Sequence, residues 1–350
     1  MVAPATEGQF GADITMASWK TALKKIGFAD MVEVGLGGDL TAAAEAAEWA
    51  EAYRDGKKMT TSCCPAFVNM IKQHFPMLLE NMSTTVSPMC AVSRMLKEKD
   101  PETVTVFIGP CIAKKKESQD RRHDDCIDAV LNFNDLRQWL QEEEIEIEDC
   151  EDMPFEKADP KVNRLYPVTN GVVNSVLATE GRADDYRKFY VHGIRNCIDL
   201  CDSMSRGEIS GCFIEMNMCS GGCIKGPTVE DETISRFKVK LDMEETIAKE
   251  PVQAKTVAAM EEGLALHKDY MDRSPDDVMP TEEEIQAILK KIGKVRPEDE
   301  LNCGACGYAT CREKAVAVFQ KKAEINMCIP YMHDSCLLYT SPSPRDYAAS

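Results

Sequence analysis

The chain has 350 residues, 41 Lys plus Arg against 59 Asp plus Glu, a formal charge of −18, and 16 cysteines. A hydrophobic fraction of 44% supplies an ordinary core and excludes global disorder, and the length suggests two domains or one with an appendage. The acidic balance disfavours nucleic acid and anionic membrane surfaces as partners. Met1 to Phe10 has no basic segment or apolar stretch of a signal peptide, and no apolar run approaches the ~18 residues of a membrane span. These features predict a soluble, cytoplasmic protein. Such a compartment does not keep 16 cysteines as disulfides, so metal is the leading explanation for them.

In chain order, a helical pattern follows Gly11, with Ala17, Trp19, Ala22, Leu23 and Ile26 on one face and Gly27 ending it. Asp39-Leu40-Thr41 opens an alanine-rich helix, Thr41 to Arg54, stopped near Gly56. Thr61 to Pro65 reads as a loop feeding a helix from Phe67 to His74. Thr103 to Ile108 is a short β-branched run stopped by Gly109-Pro110, a buried strand. Lys188 to His192 and Gly211 to Ile214 are similar, with a helix, Ile194 to Ser205, between them. Strands alternating with helices predict an α/β fold with parallel sheets. The acidic run Glu142 to Asp152 reads as a solvated surface segment.

A composition shift near Ser274 marks a linker, and the domain boundary is placed near residue 276. Thr281 with Glu284 makes a capping box for a helix through Ile292. Residues 332–350, with the Ser/Pro-rich Leu337 to Asp346 and Cys336, read as a non-native or disordered tail.

The cysteines fall into two constellations. The C-terminal one is Cys303-x2-Cys306-x4-Cys311-x16-Cys328, with Gly304 and Gly307 relieving crowding and a helix from Arg312 to Ile325 returning the chain. Four thiolates on one compact loop suit a tetrahedral zinc or a 4Fe–4S cube, and this spacing favours the cube. The other is dispersed: Thr61-Ser62-Cys63-Cys64-Pro65, then Pro110-Cys111 with Lys114 to Lys116, then Glu215 to Cys223 with Cys219. Each group sits at a strand end or helix start, where α/β folds collect ligands.

Taken together, these three motifs resemble the signature motifs of the FeFe-hydrogenases, TSCCP, PCxxKK and ExxxC-x3-C, and the resemblance runs from about Ala3 to Tyr331. It implies an α/β catalytic domain over 1–275 with two lobes of parallel-rich sheet flanked by helices. A linker helix and a small helical 4Fe–4S domain would follow over 276–331. The implied cofactor is the H-cluster, a cube bridged to a two-iron site with CO, cyanide and dithiolate ligands, beside one further 4Fe–4S cluster on Cys303, Cys306, Cys311 and Cys328. By the resemblance Cys64, Cys111, Cys219 and Cys223 hold the cube, and Cys223 bridges to the irons. Lys114 resembles the lysine that donates to a cyanide, and Pro110 with Ala3, Pro4 and Ala5 lines the same pocket. A pocket beginning at residue 3 suggests a truncated N-terminus that lacks upstream domains.

By the same resemblance Cys63 passes protons rather than binding iron, and protons crossing a buried site need titratable or hydroxyl groups at hydrogen-bond spacing. Glu45 and Glu48, at i and i+3 on one helix face, and Ser83, 20 residues after Cys63, supply the implied path. Ala52 stands where the family path usually ends in arginine. Gly109, Asn217 and Met89 depart from the pattern near the two irons, as in divergent and partly sensory branches. Cys90, Cys126, Cys150, Cys197, Cys201 and Cys212 match no motif. The expected activity is reversible proton reduction to H2, with ferredoxin or a similar electron carrier and hydrogenase maturation proteins as partners. An H2-sensing regulator and a non-catalytic iron–sulfur assembly factor are the alternatives.

Overall fold

The computed structural model describes residues 1–6, 9–10, 14, 16–120, 127–153, 163–180, 187–229, 235–249, 264–270 and 279–340. The chain divides into two compact units, Met1–Arg273 and Ser274–Ser350. The first is an α/β structure with two parallel sheets among the described residues.

Its elements begin with α1 (Met16–Lys25), α2 (Gly35–Arg54), β1 (Met59–Thr60), α3 (Pro65–His74) and α4 (Pro88–Lys99). They continue with β2 (Val106–Gly109), α5 (Ala113–Ser118), β3 (Ala129–Asn132), α6 (Phe133–Glu142) and α7 (Gly171–Glu180). Last come β4 (Arg187–His192), α8 (Ile194–Ser205), β5 (Cys212–Asn217) and α9 (Arg236–Lys249). One sheet has the order β1-β5-β4 and the other pairs β2 with β3. All six residues of β5 are buried, as expected for the central strand of a parallel sheet covered on both faces.

Local chemistry starts and stops these elements. Asn132 and Asp135 form a capping box at α6, and Phe133, Leu136 and Leu140 bury one stripe of that helix. Proline stands at the first turn of α3 and α4, where its missing N–H costs nothing. Trp49 of α2 stacks on Phe213 of β5, centroids 5.2 Å apart at 15°, and so fixes α2 over the sheet.

Several expectations shift. The alanine-rich helix begins at Gly35, not Thr41. Its glycine-rich first turn is a poor helix former alone, but a Cβ at Gly37 would stand 2.1 Å from the Pro88 carbonyl oxygen. Close packing of α2 on α4 therefore overrides propensity. The strand expected from Thr103 pairs only from Val106, because Asp128 engages the Thr105 N–H and hydroxyl instead. β5 runs three residues past Ile214, in register with β4 to His192↔Asn217. The acidic segment is mostly exposed, yet Ile147 and Cys150 anchor it in the core.

The second unit holds α10 (Glu282–Lys291), α11 (Cys311–Phe319) and α12 (Ile329–Thr340). Thr281 and Glu284 form the capping box of α10. The helix expected to reach Ile325 stops at Phe319, with Lys321 in the left-handed region at φ 58°. Residues 332–340 of the expected tail lie in α12, consistent with the absence of Gly and Pro between Pro330 and Ser341. Residues 341–350 lie outside the described residues.

Candidate metal centre and proton path

Three cysteine groups stand at the carboxyl ends of parallel strands, where open α/β sheets gather ligands. Cys64 is the N-cap of α3, in extended conformation, four residues past β1. Cys111 follows β2 and precedes α5. Cys219 and Cys223 follow β5, on a turn that Gly222 makes possible. Gly222 has φ 86°, and a Cβ there would approach the Pro167 oxygen to 2.5 Å. Glu215 ties this turn down, accepting from the N–H groups of Asn170, Val172 and Val173 at 2.9, 3.0 and 3.1 Å and from Asn217 Nδ2 at 2.8 Å. Its carboxyl is pushed up to about 7 by burial.

The four thiols sense one another. Burial pushes the Cys223 thiol well up, and Cys111, Cys64 and Cys219 add to it while Lys114 opposes. Cys219 is pushed up to about 11 by burial, then by Cys64 and Cys111. Cys111 is raised by burial against the pull of Lys114. Buried thiolates repel one another, so burial and mutual repulsion favour the protonated thiols of Cys111, Cys219 and Cys223. Four soft sulfurs placed after neighbouring elements are a donor set whose chemistry suits an iron–sulfur cube. Among the described residues, no group of three or more His, Cys, Asp or Glu side chains stands at single-ion spacing.

Lys114 extends from α5 with a buried side chain and donates to Glu117 Oε2 at 2.7 Å. Burial opposes its charge, but Glu117, Cys90 and Cys111 outweigh that and hold the ammonium above the ordinary lysine range. Ala3 and Pro4 are buried in the same unit. Gly226 brings its backbone against Pro110, whose oxygen would lie 2.8 Å from a Cβ there. Gly109 leaves its space to Phe107, whose ring would lie 2.8 Å from a Cβ at that position. Met89 is a fully buried core side chain.

Cys63 lies on the opposite side of the Cys64 backbone, packed against the cluster of Trp49, Val172 and Phe213. Burial raises its thiol well above the usual range, with Glu45 the next cause. Glu45 is 2% exposed. Its carboxyl is pushed up to about 8 by burial, then by Glu48, while Ser62, Ser83 and Lys268 oppose. Among the described residues its Oε2 has no hydrogen-bond partner. Ser83 Oγ donates to Glu48 Oε2 at 2.6 Å, and Glu48 also accepts from the N–H and hydroxyl of Thr84. Cys63 and Glu45 are thus buried groups that act on one another, and Ser83 is bonded to the half-buried carboxylate of Glu48. Ala52 packs against the Trp49 cluster, and Arg54 is engaged with the Ala50 carbonyl on the exposed face.

Two groups in this region escaped the sequence reading. Glu117 had a readable signal, since it stands at i+3 from Lys114. Lys268, 6% exposed, had none. Cys197, Cys201 and Cys212 are buried in the apolar cluster behind α3 and α8.

In the second unit, Cys303, Cys306, Cys311 and Cys328 line one pocket with Lys294 and Lys314. The Thr310 hydroxyl accepts from Glu313 N–H to cap α11, and Asn302 Oδ1 accepts from Cys311 N–H at 2.8 Å. Lys314 and Lys294 are pinned to the Ile325 and Asp299 carbonyls at 2.9 and 2.8 Å. This four-sulfur pocket also fits a cube. Gly304 and Gly307 serve it through positive φ, 70° and 86°, rather than by relieving crowding.

Comparison with known proteins agrees with this chemistry. Residues 1–227 match the family model "Iron only hydrogenase large subunit, C-terminal domain", and residues 299–330 match "Putative Fe-S cluster". Iron hydrogenase 1 of Clostridium pasteurianum is 26% identical over 285 residues, 66% of this chain and 49% of that protein. The periplasmic Fe hydrogenase large subunit of Nitratidesulfovibrio vulgaris is 28% identical over 267 residues, 61% of this chain and 62% of that one. The chain thus spans about half to three fifths of the length of these relatives. A variant of FeFe-hydrogenase HydA1 from Chlamydomonas reinhardtii superposes with a TM-score of 0.64 at 17% identity, over 78% of this chain and 93% of that one. That likeness establishes the shared fold. Among the described residues, no helix is long and apolar enough to cross a membrane.

Proposed function

The chain belongs to the iron-only hydrogenase large-subunit family, and on that premise we propose that it reversibly reduces protons to H2 at an H-cluster. Cys64, Cys111, Cys219 and Cys223 would hold the cube in this reading, and Cys223 would be the residue nearest the two-iron unit by the family resemblance. When bound, the cluster supplies electrons and the iron site at which the H–H bond is made or broken.

The protein's part is proton delivery, electrostatics and exclusion of water. Glu48 takes a proton at the half-buried end, and the Ser83 hydroxyl, already hydrogen-bonded to it, carries the proton inward. Glu45, pushed up to about 8, is poised to accept and release a proton near neutral pH, as a relay group must be. Cys63 then offers it to the pocket. Lys114 presents positive charge to the cyanide side, and Ala3, Pro4 and Pro110 wall the pocket. Cys303, Cys306, Cys311 and Cys328 would hold a second cube, which would supply an electron-accepting site for ferredoxin or a similar carrier. Maturation proteins would install the two-iron unit, in a cytoplasmic setting that keeps the thiols reduced.

The observation that carries this reading is the buried carboxyl of Glu45, which acts on the Cys63 thiol and faces the hydrogen-bonded pair Ser83 and Glu48. A cube alone needs no such path, which speaks against the assembly-factor alternative. Gly109 and Asn217 favour the second reading, an H2 sensor, because they alter packing and hydrogen bonding in the pocket. The test is to load the full chain with cubes and a synthetic two-iron precursor, then assay H2 evolution from a reduced dye. Rapid turnover supports the enzyme. Weak turnover with carbonyl and cyanide infrared bands favours the sensor, and absence of those bands overturns both.

A further inference from the structure

Residues 264–270 lie beyond the part of the chain matched by the hydrogenase family model, yet they reach into the site. They form a strand-like strap. Val86 N–H donates to the Leu266 carbonyl at 2.8 Å and Lys268 N–H to the Thr84 carbonyl at 2.8 Å, with Thr85 bridged antiparallel to His267. Burial alternates along it: Leu264, Leu266, Lys268 and Tyr270 turn inward, while Ala265, His267 and Asp269 are exposed. Leu264 and Leu266 pack on the core, and Arg94 of α4 holds the carbonyls of Ala265 and His267. The Tyr270 hydroxyl donates to the Ser83 carbonyl at 2.6 Å. The strap is thereby fastened to the segment that carries the relay serine.

Lys268 is the side chain this strap delivers. Its ammonium donates to the Ser62 carbonyl at 3.4 Å and lies 5.4 Å from the centre of the Tyr270 ring. Among the described residues no carboxylate stands within ion-pair distance of it. A buried ammonium so weakly satisfied is costly unless nearby charge compensates it. The charged and titratable groups that face it are Glu117 and Lys114 of α5, Cys90 of α4 and Glu45 of α2. Glu117 is held below the usual carboxylate range against its burial by Lys114, then by Lys268. Glu45 is faced by Glu48, Ser62, Ser83 and Lys268, and it in turn acts on Cys63, Tyr166 and Tyr270. Lys268 is the strap cation that acts on both carboxylates. Burial pushes the Lys268 ammonium below the ordinary lysine range, and Glu117, Cys90 and Glu45 hold its charge against that pull.

We propose that Lys268 is a positioning residue of the site, placed by the strap to set the charge of the relay carboxylate Glu45 and of the Lys114 partner Glu117 together. The Glu45 part rests on the reading of Glu45 as a proton relay; the geometry of the strap does not. Removing the cation favours the protonated form of each carboxylate.

The test is the titration of the two carboxyls in the cluster-free full chain, followed by their infrared C=O bands and assigned with Glu45→Gln and Glu117→Gln. Lys268→Met should move both titrations to higher pH, by roughly half to one pH unit, and Lys268→Arg should restore them. Lys268→Gln, which keeps a polar tip for the Ser62 carbonyl, carries the same test if the methionine variant does not fold. Unchanged titrations of both carboxyls in a folded neutral variant overturn the proposal. In the loaded chain the pH profile of H2 evolution should move in step with Glu45. Absence of H2 from the loaded wild type counts against the hydrogenase reading, while the cluster-free titration still decides the role of Lys268.

Discussion

Replacing Glu45 by glutamine should make the protein more stable and far less active. The folded carboxyl keeps its proton to about pH 8 against an ordinary 4.5, so the folded chain binds more protons than the unfolded chain between those values. Stability therefore falls as pH rises through that window, and the whole penalty is in force above pH 8. At about 1.36 kcal/mol per pH unit, the penalty at pH 7 is about 3 kcal/mol. Glutamine mimics the protonated acid and cannot ionise. Urea unfolding of the cluster-free full chain should show Glu45→Gln equal to wild type near pH 4.5 and about 3 kcal/mol more stable at pH 7. Loaded with cluster, the same variant should lose roughly 10²–10⁴ of its H2 evolution. A stability difference that is the same at pH 5 and pH 8 would refute the reasoning, because the burial penalty is pH-dependent by construction.

Three other outcomes follow from particular contacts. Ser83→Ala removes the 2.6 Å bond to Glu48; it should cost about 1 kcal/mol in unfolding and roughly 10²-fold in H2 evolution, with Ser83→Thr restoring most of the rate. Gly37→Ala drives a methyl onto the Pro88 carbonyl and should destabilise the α2–α4 contact by about 1–3 kcal/mol, read in urea unfolding at constant m-value. Cys306→Ala should leave the cyanide and carbonyl infrared bands of the loaded chain in place while lowering its iron content by one cube.

Of the proposed proton path, Glu45 and Glu48 were readable as neighbours on one helix face, while Ser83 entered only through the family resemblance. The proposed ligand set stood out as motifs, while the placing of its cysteines after β1, β2 and β5 needed the fold. The first turn of α2 was hidden because four residues, Gly35-Leu36-Gly37-Gly38, read as a loop by propensity, and only the approach to Pro88 makes them helical. Lys268 was hidden for a different reason. It lies 205 residues from Cys63 in a segment without motif or period long enough to read, and its role depends on an antiparallel bridge to Thr85.

The central claim is that Cys63 hands protons to a cluster held by the neighbouring cysteine. It is tested most directly by H2 evolution from the loaded full chain and from loaded Cys63→Ala, at matched iron content and matched infrared bands. The account predicts a loss of at least roughly 10²-fold in the variant with the cluster intact. Equal rates in the two proteins would contradict it.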